Sequence, residues 1–117
     1  MRKQKWGRII NIGSMAARLE PIGDSVYAAT KAGLETMTNV LARELGPMSI
    51  TCNTLAVSAL KTDMLAQLPS AKIEQVIAGL PVPRFAEAED VLNVFDFFAS
   101  ERSGYVTAQA IYLGGVS

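Results

Sequence analysis

"GRIINIGS", residues 7–14, is the stretch on which the fold turns. A glycine opens a compact apolar run and Gly13-Ser14 closes it, the pattern of a buried strand that ends in a loop. Residues 15–24, "MAARLEPIGD", hold Pro21, Gly23 and Asp24 and read as loop. Asp24 or Ser25 can cap a helix that then runs to about Leu45. Val26, Ala29, Gly33, Met37, Val40, Leu41 and Leu45 form one continuous apolar face of that helix. Gly46-Pro47 stops it.

The alternation continues downstream. "SITCNTLAV" (49–57) is rich in β-branched residues and reads as a second strand. Residues 58–63 form a polar loop. A weaker helix is expected from about Thr62 to Ala78, with a break near Pro69. "GLPVPRF" (79–85) is held extended by its prolines. "AEAEDVLNVFDFFAS" (86–100) is a strong helix. Glu87, Glu89 and Asp90 lie in its first turn, where the helix dipole favours acids. Val91, Leu92, Phe95 and Phe98 are expected to be its buried face. "AQAIYL" (108–113) reads as the third strand.

Helices placed between strands imply parallel pairing with right-handed crossovers, an α/β architecture in one domain. Open parallel sheets bind ligands at the carboxyl ends of their strands. That rule puts Gly13-Ser14 and the loop after Val57 on one rim. Tyr27, at the start of the long helix, falls near the same rim.

Composition narrows the function. Of 117 residues, 50% are hydrophobic and 19% charged, a globular balance. Basic and acidic residues number 11 each, which argues against a nucleic-acid partner. The short basic run "MRKQK" reads as a solvated helix end. No apolar run reaches the ~18 residues of a membrane span, and residues 1–15 lack the core of a secretion signal. Cys52 is the one cysteine, so no internal disulfide forms, and a small core residue is its expected role. There is no histidine, which removes the Ser-His-Asp type of nucleophile and most zinc sites; no metal site is expected. The cytoplasm is the expected compartment.

The chemistry centres on "VYAATKAG" (26–33). Tyr27 and Lys31 are four apart on a helix and so share a face. A free phenol is a poor acid or base at neutral pH, and a neighbouring ammonium favours its ionised form. Such a tyrosine can exchange a proton with an oxygen. Ser14, at the end of the adjoining strand, can donate a hydrogen bond to that oxygen. Ala28, Ala29 and Ala32 leave room for a ligand close to the helix. Alone the pair is weak, because Tyr-x-x-x-Lys arises by chance in roughly one such sequence in ten.

The combination is more specific. "GRIINIGS", thirteen residues from Ser14 to Tyr27, "YAATKAG", "LAREL", "ITCN", "TDM" (62–64), "PRFAEAEDV" (83–91) and "YVTAQAIYLGG" (105–115) together resemble the short-chain dehydrogenase/reductase family over essentially the whole chain. The resemblance is nearest to its 3-oxoacyl-carrier-protein reductase branch. It implies an NAD(P)-dependent oxidoreductase that reduces carbonyls or oxidises alcohols. Tyr27 would be the acid/base. Lys31 would assist it and hold the nicotinamide ribose hydroxyls, and Ser14 would orient the substrate carbonyl. Backbone near Leu60 and the hydroxyl of Thr62 would meet the carboxamide. The cofactor would be NADP or NAD and the substrate a small carbonyl or alcohol compound.

Against that family pattern, residues 1–117 read as the C-terminal portion of a Rossmann-type doubly wound sheet, about three strands and three helices. The N-terminal nucleotide-binding half, with its G-x-x-x-G-x-G turn, is missing. Where the family commonly has Pro-Gly after the second strand, this chain has Val57-Ser58. Where it usually shows Thr-Gly and Asp-Gly-Gly, the chain reads Thr107-Ala108 and Leu113-Gly114-Gly115. By itself it is expected to be poorly soluble, partly folded or tightly self-associated. Association as a homo-oligomer, or with a full-length homologue through helix 25–45, is the expected partnership. A non-catalytic remnant acting as an interaction or binding module is the alternative reading.

Overall fold

The computed structural model describes residues 1, 3–14, 23, 25–57 and 70–115, apart from the side chains of Ser14, Ser70, Lys72, Ile73 and Val76. Three strands form one parallel sheet in the order β1 (Gly7–Ser14), β2 (Ile50–Val57), β3 (Ala110–Tyr112). Gly7 pairs with Ile50 and Ser14 with Val57, so β1 and β2 run level for their whole length. Thr54 pairs with Ala110 and Ala56 with Tyr112. The expected strand-helix-strand order and the parallel sense are both present, as part of a Rossmann-like α/β fold.

Helix α1 (Ser25–Leu45) packs on β1 and β2 from one face, and α3 (Ala88–Ala99) packs on the same strands from the other. Side chains alternate along a strand, and paired residues of parallel strands share a face. Asn11, Thr54 and Tyr112 therefore turn toward α1, and Arg8, Asn53 and Leu55 toward α3. Hydrogen bonds bear this out. Asn11 Nδ2 donates to Thr38 Oγ1 of α1 at 2.8 Å. Arg8 donates through Nε and Nη2 to the Ser100 carbonyl, 3.2 Å each, just past the end of α3. A cation there also suits the helix dipole.

The helix faces differ from the sequence expectation. In α1 the residues nearest the core are Thr38 and Ala42, while Val26, Ala29, Gly33, Met37 and Val40 are exposed and Leu41 and Leu45 half-buried. The apolar face thus points mostly away from the sheet. Thr38 tolerates full burial because its hydroxyl donates to the Leu34 carbonyl at 2.8 Å while accepting from Asn11. In α3, Phe98 is buried and Val91 half-buried, but Leu92 and Phe95 are 56% and 42% exposed. The inward stripe is Val91, Val94 and Phe98, one residue in every three or four, and positions 92 and 95 flank it.

Local signals explain the element ends. After α1 the chain makes a tight turn through Gly46–Met48, and Ser49 adopts a left-handed conformation with φ 60°. Helix α2 covers Ser70–Ala78, and the earlier part of the expected 62–78 helix lies outside the described residues. The prolines of 79–85 do keep that segment out of regular structure, and Pro81 lies where a side chain on Gly115 (φ 84°) would have to go. At the start of α3 the Asp90 carboxylate accepts from the Glu87 backbone N–H at 2.8 Å and from both Arg84 Nη atoms at 2.7 and 3.1 Å. The Arg84 guanidinium first, and then the Glu87 N–H, hold the Asp90 carboxyl down at about 2.

β3 is shorter than the expected 108–113. The chain reaches it through a kink at Ala108, whose φ is 57°. There Ala108 N donates to the Cys52 carbonyl at 2.9 Å, and Thr54 N to the Gln109 carbonyl at 2.8 Å. The buried Asn53 side chain fixes the kink, donating to the Val106 carbonyl at 2.9 Å and accepting from Gln109 N at 3.0 Å. A left-handed conformation is costly for alanine and free for glycine.

Two outcomes are expected. Ala108→Gly raises stability by roughly 0.5–1 kcal/mol, the relieved backbone cost less the extra freedom of the unfolded glycine; a urea midpoint that falls instead contradicts the kink. The Asp90 contribution is present above the ordinary carboxylate range, near ~3.9, and is lost as pH falls toward the folded value. Wild type therefore exceeds Asp90→Asn in urea midpoint at pH 6, and the gap closes toward pH 2. A gap that stays constant over that range rules out the pair as its source.

Candidate active site

The position of Tyr27 and Lys31 follows from the contacts that seat α1. Thr38 is level with Asn11 in β1. Glu35, nearly one turn earlier, accepts a hydrogen bond from the Tyr112 hydroxyl, and Tyr112 is level with Ala56 and thus with Gly13. Going back along α1 is therefore going forward along the strands, so helix and strands are antiparallel. From Asn11 to Ser14 is roughly 10 Å of strand. From Thr38 to Lys31 is also roughly 10 Å of helix. Lys31 thus stands level with Ser14 and Val57, and Tyr27 one turn beyond the carboxyl end of the sheet.

At that rim Tyr27 is 49% exposed and Lys31 is half-buried, with its Nζ 5.7 Å from the centre of the Tyr27 ring. The phenol and the ammonium therefore do share a face and point into the same region. The backbone of Ser14 ends β1 opposite Val57. The Ser14 side chain, and Leu60 and Thr62 entirely, lie outside the described residues.

A phenol with an ammonium near its ring can exchange a proton with a ligand oxygen, and the ammonium can offer charge-assisted hydrogen bonds to hydroxyls. Among the described residues no group of histidine, cysteine, aspartate or glutamate could hold a metal ion, and no helix is long and apolar enough to cross a membrane. Cys52 is buried as expected, and burial pushes its thiol up, away from a reactive thiolate. A hollow of about 110 Å³ is lined by Arg84, Asp90 and Leu113, but its charged groups already pair with each other.

Sequence reasoning missed the residues that seat this rim. Asn11 and Thr38 sit inside apolar patterns, where a polar residue signals a partner across the core. Glu35 is four after Lys31, on the face of the site, a spacing that could have singled it out. Nothing in "AIYL" marks Tyr112.

Known proteins share this arrangement of sequence. A family model described as enoyl-(acyl carrier protein) reductase matches residues 1–116. The 3-oxoacyl-[acyl-carrier-protein] reductase FabG of Pseudomonas aeruginosa is 43% identical over 115 residues, 98% of this chain and 47% of that protein. The (3R)-3-hydroxyacyl-CoA dehydrogenase of Canis lupus familiaris is 37% identical over 109 residues, 93% of this chain and 42% of that protein. The 3alpha-hydroxysteroid dehydrogenase of Mediterraneibacter gnavus is 38% identical over 117 residues, 100% of this chain and 47% of that protein. The chain spans about half the length of the curated relatives it matches. With a match this long over a parallel sheet flanked by helices, the chain belongs to the short-chain dehydrogenase/reductase family.

Proposed function

We propose that this chain carries the proton-transfer part of an NAD(P)-dependent site for carbonyl reduction and alcohol oxidation. The observation that carries the reading is the half-exposed Tyr27 with the Lys31 ammonium over its ring, 5.7 Å from the ring centre. In the reductive direction Tyr27 donates its proton to the substrate oxygen, and in the oxidative direction it takes that proton back. Lys31 offers positive charge to the tyrosine oxygen and hydrogen bonds to the nicotinamide ribose. Ser14 orients the substrate carbonyl from the end of β1. Leu60 and Thr62 complete the cofactor contacts after β2. The bound nicotinamide supplies or accepts the hydride, while the protein supplies orientation and electrostatics. NADP and NAD are both candidates. A 3-oxoacyl thioester is the first substrate to try, since relatives in two branches are named for 3-oxoacyl or 3-hydroxyacyl compounds. The compartment proposed is the cytoplasm.

The test is direct. Cofactor fluorescence reports binding of NADPH or NADH, and loss of its absorbance reports turnover with an acetoacetyl thioester. Tyr27→Phe is expected to lower turnover by about 100-fold or more, the usual weight of a general acid. Lys31→Ala is expected to weaken nucleotide binding as well. A wild-type chain that neither binds nor turns over sinks the enzymatic reading.

One observation favours a second reading, an interaction module that pairs with a copy of itself or a full-length homologue. The outward face of α1 carries Val26, 79% exposed, with Met37 and Val40 also exposed along the same helix. Large apolar side chains exposed along one helix face can form an association surface. Val40→Glu is expected to shift the chain to smaller species in sedimentation velocity. An unchanged distribution removes α1 as the contact.

A further inference from the structure

Helix α1 is seated unevenly. Its second half is locked into the core by Thr38 and Ala42, both buried. Among residues 25–34, which include Tyr27 and Lys31, none is buried. That half nonetheless has to hold its two functional side chains over the strand ends. Just beyond it the Glu35 carboxylate accepts from the hydroxyl of Tyr112, the last residue of β3. Tyr27, Lys31 and Glu35 are spaced by four, so they descend one face of the helix. The contact thus lies at the foot of the stripe that carries the site. It ties that stripe to β3, whereas Asn11 ties the next turn to β1. Two ties to different strands fix the rotation of the helix about its axis, which one tie cannot do.

We propose that Glu35 and Tyr112 are positioning residues, a carboxylate–phenol clamp that sets the first half of α1, and with it Tyr27 and Lys31, against the strand ends. Neither touches the reacting atoms. Their service to catalysis rests on the Tyr27–Lys31 reading above, but the clamp itself is a statement about where the helix is held.

Amide hydrogen exchange on the full 117-residue chain tests it without any need for turnover. Tyr112→Phe keeps the ring and removes the donor, and it is expected to speed exchange across residues 27–35 by roughly tenfold or more, the loss of one hydrogen bond to a charged acceptor. Exchange across 38–45 should not change. Glu35→Ala should match it, whereas Glu35→Gln, which keeps an acceptor oxygen, should restore most of the protection. Both residues are partly exposed, so these variants keep the buried core intact. Equal exchange in all four proteins overturns the clamp, as does acceleration spread evenly over both halves. The turnover assay separates the two proposals. An inactive wild type with selective exchange in Tyr112→Phe rejects the enzyme and keeps the clamp. In an active wild type, loss of the clamp in Tyr112→Phe lowers kcat with little change in KM.

Discussion

β2 has no free side. Its residues from Ile50 to Ala56 are buried consecutively, α1 covering one face and α3 the other. A strand in that position cannot alternate between oil and water, and its polar members meet this differently: Asn53 finds partners inside the protein, whereas the buried Thr51 and Thr54 hydroxyls have none among the described residues. Asn53 grips the backbone on either side of the Ala108 kink, and Cys52 N is met by Thr107 Oγ1 at 3.0 Å. These bonds place β3, and β3 in turn brings Tyr112 to Glu35. The location of the candidate site therefore depends on how a doubly buried strand satisfies its hydrogen bonds.

The same constraint accounts for the polar contact beneath α1. A helix packed on a sheet by apolar side chains alone can slide or roll at little cost, because dispersion forces have no direction. The Asn11–Thr38 bond has both a direction and a register. It sets the antiparallel helix so that Lys31 comes level with the end of β1. The price in buried polarity is low, since Thr38 also satisfies itself on the Leu34 carbonyl.

Much of this was legible in the residues. The three strands and the helices between them follow from apolar runs, turn residues and helix stops, and the parallel sense follows from their order. That Tyr27 and Lys31 share a helix face follows from their spacing. Other features were not legible, for identifiable reasons. The exposure of Leu92, Phe95, Met37 and Val40 depends on how each helix is rotated against the sheet, and hydrophobicity patterns alone do not report that rotation. The left-handed Ala108 was invisible because alanine disfavours that conformation, and bonds from β2, distant in sequence, hold it there.

Sequence alone settled which segments are strand or helix, and which two side chains share a helical face, because both are consequences of local periodicity and backbone sterics. Only the tertiary structure decided which way that face points, which residues anchor it, and where along the sheet it stands. Those answers come from pairs distant in the chain, Asn11 with Thr38 and Tyr112 with Glu35, and no local pattern encodes a partner 27 or 77 residues away.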